Sequence, residues 1–395
     1  MSFDSPSWCR AGLICAAMAF APGCRDKAGS TSMMAGDPKA SSGSRSVPAH
    51  PTAQPTPKEV PLPSEQEGDF VVNDYRFTTG ETLPQVRIHY TTIGAPHRDV
   101  LGKIDNAVLL LHGTMGRGRA FFAETFRGAM FGPGQPFDVA KYYVVLPDNV
   151  GHGRSTKPSE GMRGHFPHYH YRDMVDLQHR LVTEKLGIDH LRVVIGTSMG
   201  GMHAWMWSEA YPDAMDAVVP VACLPAAIRG RNLVWRRAII DATRADPGYG
   251  GGDYTEMPRG YLTALPLFRI MVDSPAHLDK AVADVGEADR FLDGDSPGAP
   301  PPVDANDAIY ALDASTDYDP QAGLGTIRSK VLAINFADDE LNVDSLGVLE
   351  RSMPLVPGGR YVVVPTSPET RGHMTLMLAA QWNRHVVEWM DSLRR

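Results

Sequence analysis

The stretch Leu191-Arg192-Val193-Val194-Ile195-Gly196-Thr197-Ser198-Met199-Gly200-Gly201 decides the fold. A β-branched apolar run enters a turn of the form G-x-S-x-G, and a helical pattern, Met202-His203-Ala204-Trp205-Met206-Trp207, follows at once. A short run buried on both faces belongs to a parallel sheet covered by helices. The turn projects the Ser198 hydroxyl out of the sheet, and Gly196 and Gly200 lack the Cβ atoms that would hold strand and helix apart. The helix N-terminus beneath Ser198 favours negative charge there. Ser198 is therefore the candidate nucleophile.

Working outward, runs of the same kind occur at 107–111 (AVLLL), 142–146 (YYVVL), 217–221 (AVVPV), 331–334 (VLAI) and 361–364 (YVVV), each followed by a loop rich in Gly, Asp or Pro. Between them lie helical patterns; residues 171–186 place Met174, Leu177, Leu181 and Val182 on one face. Residues 85–92 (QVRIHYTT) alternate with period two, as an antiparallel edge strand should. The expected class is α/β, a mostly parallel doubly wound sheet. From about 224 to 321 the strand pattern breaks into helical stretches (233–244, 263–272), which reads as a helical cap insertion over the carboxyl ends of the strands. Residues 273–319 carry twelve acidic and two basic side chains, an imbalance that reads as a solvated face rather than a cation site.

A serine nucleophile needs a base and an orienting acid, here in the chain order Ser, Asp or Glu, His. After the run at 331–334 comes Asn335-Phe336-Ala337-Asp338-Asp339-Glu340-Leu341; after 361–364 comes a loop ending in Gly372-His373-Met374. His373 is the candidate base. Asp339 is the candidate acid, with Asp338 its alternative, because spacing cannot separate adjacent carboxylates. A tetrahedral oxyanion needs two backbone N–H donors. Met199, directly after the nucleophile, and Thr114, in His112-Gly113-Thr114-Met115-Gly116, are the candidates. This chemistry calls for no cofactor and no metal. His165, His168 and His170 cluster in sequence without a carboxylate or cysteine at ligand spacing. Gly151-His152-Gly153-Arg154-Ser155 lacks the lysine position of a phosphate loop.

The chain has 395 residues and a net charge of −8, so it carries no electrostatic footprint for nucleic acid. Its four cysteines (Cys9, Cys15, Cys24, Cys223) are too few for a disulfide scaffold. Residues 10–24 (RAGLICAAMAFAPGC) have the layout of an export signal, and Gly23-Cys24 resembles a bacterial lipobox. That reading predicts an exported, periplasmic or lipid-anchored protein tethered to a membrane through Cys24. Residues 25–67 contain no aromatic side chain and many prolines and serines, a composition that predicts a disordered linker and places the folded domain at 68–395.

Together these pieces resemble the α/β-hydrolase superfamily and, within it, the homoserine O-acetyltransferase family. The resemblance rests on Asp173-Met174-Val175, on GTSMGGMHAWMWSEAYPD from Gly196 to Asp213, on Arg231-Asn232-Leu233 and on RADPGYGGGDY from Arg244 to Tyr254. It implies transfer of an acetyl group from acetyl-CoA to the homoserine hydroxyl by Ser198, an aspartate and His373. Its D-x-L pattern favours Asp339 over Asp338, and it places a carboxylate-binding arginine near Arg269. It also implies an aspartate after the histidine to hold the substrate amine, where this chain has Met374. The loop 148–155 looks like that of general esterases, and outside the cell acetyl-CoA is absent. Hydrolysis of an ester or similar small acyl substrate is therefore the leading expectation, with acetyl transfer to an alcohol as the alternative. A non-catalytic binding protein is disfavoured by the complete Ser, Asp and His set.

Overall fold

The computed structural model describes residues 64–294 and 302–393. In chain order the elements are β1 (Gln66–Arg76), β2 (Thr82–Ile93), β3 (Ala107–Leu111), α1 (Glu124–Met130), β4 (Tyr143–Pro147), α2 (Tyr171–Arg180), β5 (Leu191–Thr197), α3 (Met199–Ala210) and β6 (Met215–Val221). Then follow α4 (Gly230–Ala245), α5 (Arg259–Val272), α6 (Pro275–Ala281), α7 (Val285–Asp293), α8 (Ala305–Asp313), β7 (Lys330–Phe336), α9 (Val348–Ser352), β8 (Arg360–Val364) and α10 (Asn383–Ser392).

The strands form one sheet in the order β1-β2-β4-β3-β5-β6-β7-β8. β2 pairs antiparallel with both β1 and β4, and every other pair is parallel. Period-two alternation divides each central strand between two layers. Leu109, Leu111, Val194 and Val218 share a core with Met174, Leu177, Trp205 and Trp207 of α2 and α3. Val108, Leu110, Val193 and Ile195 share the other with Phe126, Trp382 and Trp389. Each large apolar side chain buried in this way contributes about 1.5–3 kcal/mol. These runs lack an amphipathic pattern because both faces are covered.

One strand differs from the sequence expectation. β1 begins at Gln66, inside the stretch assigned to the linker. It is an edge strand that buries only Phe70, Val72 and Tyr75, so its apolar signal is thin and follows directly on a proline-rich stretch. The export-signal segment, Cys24 and the linker as far as residue 63 lie outside the described residues.

Between β6 and β7 the chain folds into α4 to α8, the helices of the cap. The buried stripe of α4 holds Trp235, Ile239, Ile240 and Thr243 at helical spacing, but Asn232 and Arg236 lie in the same stripe. Polar groups at core positions break the local pattern and mark a site with another purpose.

At the end of α3, Glu209 is half-buried, and burial pushes its carboxyl up to about 7; nearby Asp319 adds to this, whereas Arg172 and the Gly323 N–H oppose it. The folded chain thus keeps a proton that the unfolded chain releases near its ordinary 4.5. Stability therefore falls as pH rises from about 4.5 to about 7, and the loss is complete above that window. Glu209→Gln, which has no charge to desolvate, is expected to be more stable than the parent by about 1 kcal/mol at pH 8, after allowance for solvent screening, and no more stable at pH 4. Urea denaturation at the two pH values checks this; an equal gain at both would rule out the ionisation as its cause.

Candidate active site

Ser198 sits between β5 and α3 at φ 54° and ψ −116°, a left-handed conformation that costs an L-residue about 1–3 kcal/mol. The surrounding structure holds it there. The Ser198 N–H donates to the Val221 carbonyl at 2.8 Å, and the Met202 N–H donates to the Ser198 carbonyl at 3.0 Å. The two motif glycines make the turn possible: a Cβ on Gly196 would lie 2.1 Å from the Gly200 carbonyl oxygen, and one on Gly200 would lie 2.0 Å from the Leu111 carbonyl oxygen.

The last two parallel strands deliver the partners. The Ser198 hydroxyl donates to His373 Nε2 at 2.8 Å, and His373 Nδ1–H donates to Asp339 Oδ2 at 2.7 Å. The carboxylate on the far side assigns the tautomer, leaving Nε2 free to accept. Asp339 is buried, and burial pushes its carboxyl up. The charge of His373, hydrogen bonds from His373 and Asn342, and the Leu341 N–H outweigh that effect and hold it below the ordinary carboxylate range. Asn342 completes the cradle: its Nδ2 donates to Asp339 Oδ2 at 2.9 Å and to the Ala222 carbonyl at 2.9 Å. Asp338, the alternative acid, faces elsewhere. Its Oδ2 accepts from Thr370 Oγ1 at 2.9 Å and from the Gly372 N–H at 3.0 Å, so it braces the loop that carries His373.

The loop after β3 lies against the serine, with the Cβ that Gly113 lacks falling 3.3 Å from Ser198 Cβ. The carbonyl of the Gly113–Thr114 peptide accepts from His112 Nδ1–H at 2.8 Å and from the Gly116 N–H at 3.0 Å. In a trans peptide the N–H points opposite to the carbonyl, so these two bonds also fix the direction of the Thr114 N–H. The Met199 N–H, the first of α3, has no partner within its own helix.

A buried polar chain stands behind this loop. His112 Nε2 accepts from the Asn149 N–H and from Asn149 Nδ2, each at 3.1 Å. Gln178 Nε2 donates to Asn149 Oδ1 at 2.6 Å and to His203 Nδ1 at 3.1 Å, while Trp207 Nε1 donates to Gln178 Oε1 at 2.7 Å. Burial pushes His112 down to about 4 and His203 well below its ordinary value, so both rings are neutral at working pH. The chain spans positions 112 to 207, and no local pattern announces it. Only His203, a polar position inside the apolar helix α3, and Gln178, on the apolar face of α2, could have pointed to it.

The remaining candidates are dispersed. His165 meets Asp253, His168 stacks on Tyr310, and His170 meets Thr78. Among the described residues no group of three or more His, Cys, Asp or Glu side chains is placed to hold a metal ion. Arg269, expected near the substrate carboxylate, instead donates from Nη1 to the Phe291 carbonyl at 3.1 Å. It closes the carboxyl end of α7, where an exposed carbonyl attracts a cation, and the structure does not join it to Ser198, His373 or Asp339. The buried arginine of the cap is Arg236.

A family model described as the α/β-hydrolase fold matches residues 106–255. A probable acyltransferase of Methanothermobacter thermautotrophicus is 27% identical over 330 residues, covering 81% of this chain and 96% of that protein. A homoserine O-acetyltransferase of Halorubrum lacusprofundi is 29% identical over 328 residues, covering 66% of this chain and 73% of that one. Among solved structures, an acetylester hydrolase from Corynebacterium glutamicum superposes with a TM-score of 0.69 at 19% identity, covering 82% of this chain and 96% of that chain. The fold is that of the α/β hydrolases, and the proteins the chain is similar to are named as acyltransferases and an ester hydrolase. Within that class it resembles the homoserine O-acetyltransferases.

Proposed function

We propose that the protein is a serine-nucleophile acyl-transfer enzyme that passes the acyl group of a small ester to water. The observation that carries this reading is the unbroken line from the Ser198 hydroxyl through His373 to Asp339, at 2.8 and 2.7 Å. His373 takes the Ser198 proton as Oγ attacks the substrate carbonyl. The Thr114 and Met199 N–H groups hold the resulting oxyanion. His373 then returns the proton to the leaving alcohol, and Ser198 carries the acyl group. Water, deprotonated by the same histidine, releases the acid. Asp339 keeps the imidazole in the required tautomer and stabilises its positive charge between the two transfers.

Met374 supports water as the acceptor. It follows the base directly and packs half-buried on the core, and a thioether offers nothing to an ammonium group. The export pattern at 10–24 supports the same choice, because acetyl-CoA is absent outside the cell. The second reading, acetyl transfer from acetyl-CoA to an alcohol, is favoured by the likeness to homoserine O-acetyltransferases.

The test is mass spectrometry of the protein mixed with p-nitrophenyl acetate or acetyl-CoA, with and without L-homoserine. Acetylation of Ser198 by the ester, with release to water that homoserine leaves unchanged, is expected. Acetylation by acetyl-CoA together with formation of O-acetylhomoserine would overturn hydrolysis in favour of transfer. Absence of any Ser198 adduct during rapid turnover would overturn the acyl-enzyme.

A further inference from the structure

Trp207, Gln178, Asn149 and His112 are each at most 2% exposed, and their hydrogen bonds run in one direction. The indole N–H of Trp207 can donate and cannot accept, so its bond to Gln178 Oε1 at 2.7 Å fixes which way that amide lies. Gln178 Nε2 must then face away from the indole, where it meets Asn149 Oδ1 at 2.6 Å and His203 Nδ1 at 3.1 Å. With its oxygen taken, Asn149 turns Nδ2 toward His112 Nε2 at 3.1 Å. The Asn149 main-chain N–H, a second group that can only donate, reaches the same ring nitrogen at 3.1 Å. Burial keeps the His112 ring neutral, with one proton. Since Nε2 accepts, that proton sits on Nδ1 and is given to the Gly113 carbonyl at 2.8 Å. The two obligate donors thus impose the same polarity on the whole chain from α3 to the loop after β3.

The chain divides at Gln178. The branch to His203 stops there, because His203 Nε2 has no partner. The branch through Asn149 ends on the Gly113–Thr114 peptide, beside Ser198. Buried polar groups cost free energy unless their bonds are made, and apolar side chains would fill the contact between α2 and α3 at less cost. A chain kept in spite of that cost, and aimed at this peptide, needs a reason in the reaction. We propose that Gln178 is a positioning residue for acyl transfer: through Asn149 and His112 it keeps the Thr114 N–H aimed at the oxyanion. Its hydrogen bonds go to Asn149, His203 and Trp207 and to no member of the Ser198, His373 and Asp339 set. The role rests on the acyl-enzyme reading above and extends its oxyanion site to a residue of α2.

Gln178→Met keeps the length of the side chain and removes both its donor and its acceptor. With p-nitrophenyl acetate, kcat and kcat/KM are expected to fall together by about 10- to 50-fold, because a misaimed donor is felt in the transition state. That is less than the roughly 10²- to 10³-fold cost of losing a whole oxyanion donor. The thiono analogue, with sulfur in place of the carbonyl oxygen, accepts hydrogen bonds weakly and is expected to lose less than about threefold. The oxygen-to-sulfur rate ratio therefore drops in the variant, which a general loss of packing would not produce. Trp207→Phe, which keeps an aromatic ring and removes only the obligate donor, is expected to lower the same ratio by a smaller factor. An unchanged ratio in Gln178→Met, whether both esters keep the parent rate or slow equally, would overturn the role. So would a loss carried by KM alone. Should Gln178→Met not fold, ring-nitrogen NMR spectra of the histidine-labelled parent decide: His112 protonated on Nδ1 at neutral pH is expected, and a proton on Nε2 would overturn the chain. Failure of p-nitrophenyl acetate to acylate Ser198 in the parent marks failure of the acyl-enzyme reading, whereas acylation with an unchanged ratio in Gln178→Met marks failure of the positioning role alone.

Discussion

Ser198→Ala is expected to lower kcat for p-nitrophenyl acetate by about 10⁶-fold while leaving the fold intact. The size follows from what the substitution removes. Without Oγ no acyl-enzyme forms, and His373 and Asp339 then have no proton to move. In such a set the members act as one unit, so loss of the nucleophile alone costs nearly as much as loss of all three. What survives is the oxyanion site and substrate binding, which together leave about 10³–10⁴-fold over water. The fold should persist because alanine keeps the Cβ and backbone of the turn, and the bonds to Val221 and Met202 are made by main-chain atoms. Stopped assays with the purified variant, beside its circular dichroism, check both halves. Turnover within a hundredfold of the parent would remove Ser198 from the chemistry.

The sheet and the serine turn were legible because their causes are local. A strand buried on both faces needs an apolar run, and a nucleophile turn needs glycine at two fixed positions; both appear within eleven consecutive residues around Ser198. β1 carries little signal in the sequence because an edge strand with one buried face needs only three apolar side chains. Asp338 and Asp339 were inseparable in sequence, since the choice depends on which carboxylate faces His373, and that is set by a loop crossing from another strand. The His112–Asn149–Gln178–His203 chain was invisible for a related reason. Its members come from different elements, and each alone is an ordinary polar residue. Arg269, whose role comes from resemblance alone, donates to the Phe291 carbonyl at the end of α7.

The second large effect separates the adjacent carboxylates. Asp339→Asn is expected to lower kcat by about 10⁴-fold at neutral pH, whereas Asp338→Asn lowers it by less than about tenfold. Asp339 Oδ2 accepts the His373 Nδ1 proton at 2.7 Å in a buried setting. An asparagine there can turn its amide N–H toward Nδ1. The ring proton then moves to Nε2, which can no longer accept from Ser198. The other oxygen, Oδ1, is already occupied by the Leu341 N–H at 2.8 Å and the Asn342 N–H at 3.1 Å, so an asparagine keeps its carbonyl there and points its amide at the histidine. The substitution thus favours the wrong tautomer as well as removing a charge that stabilises the imidazolium. Asp338 stands differently. Its Oδ2 accepts from the Thr370 hydroxyl and the Gly372 N–H, and an amide oxygen can keep both bonds. Its loss of charge reaches the reaction only through the position of the His373 loop. Parallel kcat measurements on the two variants, with melting temperatures to confirm that both fold, decide the matter. A larger loss in Asp338→Asn would reassign the orienting acid and with it the direction from which His373 is held.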